Sequence, residues 1–239
     1  MTRDLPHGVR PAPRRKAAAQ TVPRSRGAGE ADRVAAILAR LAERDPDPKA
    51  GFDRTDPFRL LVTVLLSAQS TGPTVSRIAD ALFAEARDPA AMAALGEARI
   101  TEIVRSVGLG PSKARNIVRL SAVLLAEHGG AVPRSAAEMR RLPGIGRKSA
   151  EVTANFAFHE PVIAVDTHIF RIANRIPLAP AATVDAVADG LARVVPDAFK
   201  DNAHVWLFRH GRDTCTARKP ACPRCPVSDL CAWPGKATA

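Results

Sequence analysis

All four cysteines of this 239-residue chain fall within seventeen residues, spaced Cys215-x6-Cys222-x2-Cys225-x5-Cys231. In a reducing interior such a cluster reads as a metal site rather than as disulfides. Four thiolates this close can complete a tetrahedral zinc site or hold a cubane iron–sulfur cluster. Structural zinc usually pairs its ligands at two to four intervening residues, and the six-residue first gap fits that poorly. Ligand count alone leaves both metals open. The reducing interior is itself an expectation from the chain's start. Met1-Thr2-Arg3-Asp4 carries no apolar signal core, and no apolar run approaches the roughly 20 residues that span a bilayer. Pro6, Pro11, Pro13 and Pro23 break any amphipathic transit helix. The expected location is cytoplasmic, with no membrane partner.

Ahead of the cysteines the patterning is helical. Residues 1–29 are rich in Pro, Ala, Gly and Arg and nearly devoid of large apolar side chains, so they are expected to be a disordered basic tail. Val34, Ile37, Leu38 and Leu41 then recur at the i, i+3, i+4, i+7 spacing of one helix face. Asp56-Pro57 and Asp88-Pro89 each pair an N-cap with a proline at the first helical position. The first of these opens a helix expected to bury Phe58, Leu61, Val64 and Leu65. Ser135 and Glu138 form a capping box before Met139 and Leu142, and Thr183 caps a stretch reaching Val195. Only Pro161 to Val165 could run extended. The class is all-α. Thirty-five Lys and Arg against twenty-four Asp and Glu leave a net charge of +11, which points to a polyanionic partner, nucleic acid first.

Two further features carry chemistry. In Leu142-Pro143-Gly144-Ile145-Gly146-Arg147-Lys148 the proline and glycines make a tight hairpin that opens a helix. The free backbone N–H groups of that helix form a ready phosphate site. An ordinary helix–helix connection would use glycine in the same way. Lys148 sits in the first turn, where a cation opposes the helix dipole, so stability alone would prefer an acid there. The same field, with Arg147 beside it, should favour the free amine, the form that attacks an electrophilic carbon. Asp166 follows the apolar run Val162-Ile163-Ala164-Val165. A helix from Lys148 to about Phe158 climbs roughly 15 Å. The seven residues His159 to Val165 span about 23 Å when extended. Asp166 can therefore return to the end of the helix where Lys148 sits. It can also cap the next helix, and the two roles are compatible. His168 reads as a structural hydrogen-bonding residue.

Together, Leu66-Ser67-Ala68-Gln69, Leu142 to Lys148, Val165-Asp166-Thr167-His168 and the cysteine spacing resemble the endonuclease III family of helix-hairpin-helix DNA glycosylases, over about Ala31 to Trp233. The resemblance implies two helical domains with a DNA cleft between them. One is a six-helix barrel carrying the helix-hairpin-helix, residues 50–160. The other is an iron–sulfur cluster domain built from residues 30–49 and 161–239. It implies a [4Fe-4S] cluster on Cys215, Cys222, Cys225 and Cys231, Lys148 as nucleophile and Asp166 as catalytic carboxylate. Gln69 is implied as the filler of a flipped nucleotide's gap, Leu109 as a wedge on the opposite strand and Lys219 as a DNA-facing residue of the cluster loop. Gly144, Gly146 and Arg147 belong to the hairpin's DNA contact.

The implied activity is base excision repair by a nucleoid-associated bacterial monomer. It acts on double-stranded DNA with a damaged pyrimidine or abasic site, as both glycosylase and abasic-site lyase. The related adenine glycosylase lacks a lysine at the position of Lys148 and carries a further C-terminal domain, whereas this chain ends eight residues after Cys231. A catalytically silent iron–sulfur DNA-binding protein is the alternative of another class. Two departures stand out: Gly72 replaces an acid the family usually places after the Ser-Ala-Gln motif, and Gly110-Pro111 follows Leu109 where an aromatic residue is usual. On that ground Gln69 and Leu109 are expected to have less to hold them in place, and if the loop is underpacked Gly110→Tyr should tighten lesion binding.

Overall fold

A computed structural model describes residues 28–237. The expected disordered tail lies outside them except for its last two residues, Ala28 and Gly29, which already belong to the first helix, α1 (Ala28–Arg44). The apolar face foreseen for α1 is the one it buries, with Val34, Ile37 and Leu38 wholly enclosed.

Local signals set the starts of most other helices. Asp56 accepts from the Arg59 N–H at 2.9 Å and Pro57 opens α2 (Pro57–Ser67). Its buried stripe is Phe58, Leu61, Val62, Leu65 and Leu66. Val64, expected inside, is only half-buried, because Val62 takes the inward position one turn on from Phe58. After α3 (Gly72–Glu85), Asp88 caps α4 (Pro89–Val104), which breaks at Gly96 where φ is +79°. Then come α5 (Gly110–His128) and the short α6 (Ala136–Met139), capped by Ser135. The hairpin leads into α7 (Arg147–Phe158). The second half adds α8 (Thr167–Arg175), α9 (Val184–Val194), capped by Thr183, and α10 (Asp197–Arg209). A wide turn over His210–Thr214 leads from α10 into the cysteine segment. Pro161 to Val165 connects α7 to α8, and no strand forms among the described residues.

Two apolar cores result. Helices α2 to α7 supply one, from Phe58 to Ala154. The other joins α1 to α8, α9, α10 and Val227, with Cys215, Cys225 and Cys231 packed at its edge. Each fully buried Leu or Ile contributes about 1.5–3 kcal/mol, so neither core needs the other to be apolar enough. Helix α1 is bound to the distant part of its core by charge as well. Arg33 donates to the carbonyls of Ile176 and Pro177 at 2.8 and 2.7 Å, and Arg40 pairs with Asp229.

Lys49 joins the two cores. Only 2% exposed, it donates from Nζ to Asp201 on α10 at 2.8 Å and to the Asn155 carbonyl on α7 at 3.2 Å, over the Phe156 ring. Burial lowers its pKa, and the Asp201 carboxylate opposes that shift. Lys49→Ala removes the stem and the ammonium together, and should cost about 2–4 kcal/mol, as for other large buried truncations. Lys49→Met keeps the stem and should cost less. Urea midpoints for the two variants check this, and an unchanged midpoint for the alanine variant would contradict it.

Candidate active site

The hairpin is anchored by Leu142 and Ile145, both buried, with the Ile145 N–H bonded to the Leu142 carbonyl at 3.2 Å. Gly144 is required twice over. Its φ is +77°, and a Cβ there would sit 2.8 Å from the side chain of Asn116 on α5. Gly146 is different: its φ of −84° suits any residue and its missing Cβ would meet nothing within 4 Å. As the N-cap of α7 it leaves the first-turn N–H groups, which have no carbonyl of their own, uncovered.

Lys148 is the second residue of α7, with its side chain 55% exposed. Its Nζ lies 3.9 Å from Asp166 Oδ2. His159 ends α7 in the left-handed conformation, φ +57°, and turns the chain back. Ile163, Ala164 and Val165 then run buried to Asp166. The Asp166 side chain is 9% exposed. Its Oδ1 accepts from the Ile169 N–H at 2.8 Å, capping α8, while Oδ2 faces the amine. One carboxylate thus caps α8 and faces the lysine.

His204 supports this return from below. Its Nδ1 lies 2.8 Å from the Ala164 carbonyl and its ring stacks on Phe208. Burial pushes its pKa down to about 4, so at neutral pH the ring is uncharged and Nδ1 is the donor. His168 lies edge-on to Phe208 and beside Arg171, in a structural setting.

Arg147 does not stand where sequence reasoning put it. Its guanidinium is bonded to Glu151 on its own helix at 2.8 Å and to Asp185 and Asp189 on α9, both at 2.9 Å. It holds the Asp189 carboxyl below the usual range. With three carboxylates around it, Arg147 neither presents a free charge to a phosphate nor adds one beside Lys148.

Gln69 and Leu109 are brought together. Both are exposed and both adopt left-handed backbone, at φ +56° and +62°. A Cβ on Gly108 would lie 3.1 Å from the Gln69 carbonyl, so the two loops abut. The expectation of an underpacked loop fails here. Gly110 is buried, and a Cβ would lie 3.1 Å from the Val104 carbonyl, so Gly110→Tyr would have to displace that backbone. Sequence reasoning also missed Lys113, which reaches under the Gln69 turn.

The four cysteines line one pocket beside Ile176, His210 and Trp233. Burial, then the neighbouring Cys215, Cys231 and Cys222, push the Cys225 thiol up, so four thiolates need positive charge between them. No group of described side chains is arranged to hold a single ion. A donor set of four thiols around a shared space fits a cluster in which each sulfur takes its own iron. Arg175 carries the loop after Cys215 by donating to the carbonyls of Thr216 and Ala217. Lys219 is exposed on that loop, and its carbonyl accepts from Thr216 Oγ1 at 2.7 Å.

The family model of the HhH-GPD superfamily base excision DNA repair protein matches residues 62–197, more than half of the chain. That of the iron–sulfur binding domain of endonuclease III matches residues 215–231. Endonuclease III of Escherichia coli K12 is 46% identical over 200 residues, covering 84% of this chain and 95% of that one. This chain belongs to the endonuclease III family. The Treponema pallidum member is 45% identical over 198 residues, 83% and 94% of the two chains. Among solved structures, a trapped endonuclease III–DNA covalent intermediate aligns with TM-score 0.78 at 35% identity, over 84% of this chain and 95% of that one. A non-covalent endonuclease III–DNA complex aligns with TM-score 0.77 at the same identity and coverage. Family membership accounts for the all-helical fold and for the [4Fe-4S] cluster assigned to the cysteines.

The setting of His204 has a measurable consequence. Its folded pKa of about 4 lies below the ordinary 6.5, so on acidification the unfolded chain binds the proton first. The associated stability is fully present above about pH 6.5 and is lost as pH falls towards 4, by about 3 kcal/mol in all. The urea midpoint should therefore drop over that window. His204→Asn, which can still donate to Ala164 but does not titrate, should drop less, and equal drops would contradict this account.

Proposed function

We propose that the chain excises oxidised pyrimidines from duplex DNA with Lys148 as nucleophile and Asp166 as its proton partner. It is a base excision repair enzyme of the glycosylase and abasic-site lyase type. One observation carries the residue assignment. An exposed amine faces a nearly buried carboxylate at 3.9 Å, at the mouth of a glycine hairpin whose N–H groups suit a DNA phosphate.

The chemistry follows from that pair. The anomeric carbon of a stacked nucleotide is shielded, so the nucleotide must leave the stack first. Asp166 takes a proton from the Lys148 ammonium, and the freed electron pair forms a bond to C1′. The glycosidic bond breaks, and the base leaves with its electrons and takes up the proton that Asp166 accepted, which restores the carboxylate. Opening of the sugar ring gives a Schiff base between Lys148 and the sugar. That iminium acidifies the 2′ carbon, whose proton is lost as the bond to the 3′ phosphate oxygen breaks. Asp166, held by the Ile169 N–H, remains aimed at the developing positive charge.

The [4Fe-4S] cluster, when bound, would supply positive iron to four otherwise repelling thiolates. The loop it ties down presents Arg218 and Lys219 to the DNA backbone. Gln69 and Leu109 fill the gap left by the flipped nucleotide, and Gly144 and Gly146 let the hairpin backbone approach a phosphate. The two helical cores act as the two domains flanking the DNA, and the enzyme works as a monomer.

Lys148→Gln should abolish borohydride trapping on abasic DNA while leaving duplex binding largely intact. Asp166→Asn keeps the cap on α8, since Asn caps as well as Asp. It should slow base release by about two orders of magnitude, the scale of a lost acid–base group. Undiminished trapping by the Lys148 variant would overturn the assignment.

A further inference from the structure

Three points along α5 touch three loops. Leu109 is its N-cap, and Lys113 and Asn116 follow at i+4 and i+7, one face of the helix. Asn116 packs against Gly144 of the hairpin. Lys113, 5% exposed, reaches under the end of α2. Its ammonium donates to the Leu66 carbonyl at 2.8 Å, to the Ala68 carbonyl and to Ser70 Oγ at 3.3 Å. An ammonium has three donors, and all three are used. Burying it costs several kcal/mol unless it is well bonded, and here its bonds run to carbonyls and a hydroxyl, with no carboxylate among them. Two of the acceptors, the carbonyls of Leu66 in the last turn of α2 and of its C-cap Ala68, lie at the negative end of the helix dipole, and the third is the Ser70 hydroxyl beyond it. Burial lowers the pKa of this lysine, so the bonds are retained against a real desolvation cost.

The three acceptors bracket Gln69, whose left-handed φ of +56° is a strained setting for a non-glycine residue. Such a conformation persists only where its surroundings over-determine it. Lys113 supplies that constraint from a helix whose own first turn carries Leu109, and Gly108 lets the two loops meet at their backbones.

We infer that Lys113 is a positioning residue that locks the Gln69 and Leu109 loops into one rigid unit and so governs how well the gap of a flipped nucleotide is held open. The inference deepens the glycosylase reading and rests on it. It separates duplex from single-stranded substrates, because only a duplex has a stack to fill.

The test uses the full-length holoenzyme. Borohydride trapping rates are compared on an abasic site in duplex and in single-stranded DNA, with 2-aminopurine opposite the site reporting the opened stack. Lys113→Met keeps the stem and removes the ammonium. It should lower the duplex-to-single-strand rate ratio at least about tenfold and weaken the 2-aminopurine signal, since small misplacements cost this much or more. Ser70→Ala, a milder change, should move both in the same direction by about threefold on the same scale, and it decides the matter if the methionine variant does not fold. A ratio and fluorescence signal within twofold of the unmodified protein would overturn the inference. So would equal losses on both substrates, which mark a general structural role. If the unmodified protein traps neither substrate, the glycosylase reading itself fails, a result separable from either.

Discussion

Helix α7 is held at both ends, and the active site depends on that. At its far end the Asn155 carbonyl and the Phe156 ring receive the buried ammonium of Lys49, which is also bonded to Asp201 on α10. At its near end Arg147 reaches across to Asp185 and Asp189 on α9. Both clamps tie a helix of the first core to helices of the second. The proposed reacting pair straddles the same boundary: Lys148 rides on α7, and Asp166 caps α8. The 3.9 Å between them is therefore a property of the junction between cores and not of either core alone.

This recasts Arg147. Its neighbour in sequence carries the reactive amine, and proximity in the chain suggested a shared electrostatic task. The fold instead bonds each of its three guanidinium nitrogens to a carboxylate. Charge neutralised in this way still has a structural task, because it fixes the first turn of α7 and with it the origin of the Lys148 side chain. The cluster loop follows similar logic. Arg175 and Arg171 on α8 hold the backbone just after the wide turn, donating to the Thr216 and Cys215 carbonyls. The helix capped by Asp166 therefore also braces the cysteine segment.

What could be read in the sequence was local or arithmetical. The caps at Asp56, Asp88, Ser135 and Thr183 each act within three residues of themselves, so their spacing declared them. The meeting of Asp166 with Lys148 followed from helix rise and chain reach. The hidden features are long-range. Lys49 finds partners more than a hundred residues away, and His204 and Arg147 find theirs about forty away. Lys113 did leave a trace, because it falls on the stripe of Ala114, Ile117, Leu120 and Leu124, a lysine among buried positions. Gly110 misled for the opposite reason. Its chain neighbours suggest freedom, whereas the Val104 carbonyl pressing on it comes from the preceding helix.

The placement of α1 bears on how the protein is made. The first core is a continuous stretch of chain and can close as soon as α7 leaves the ribosome. The second cannot, because Val34, Ile37, Leu38 and Leu41 wait for partners as late as Val227. At ordinary elongation speeds of about 5–20 residues per second, that wait is on the order of 10–40 s. Through that interval a newly synthesised chain trails an amphipathic helix with its sticky side bare, and only its later part passes beside a finished first core. Translation speed and chaperone access, more than the final stability of either core, then govern how much of the nascent protein escapes aggregation.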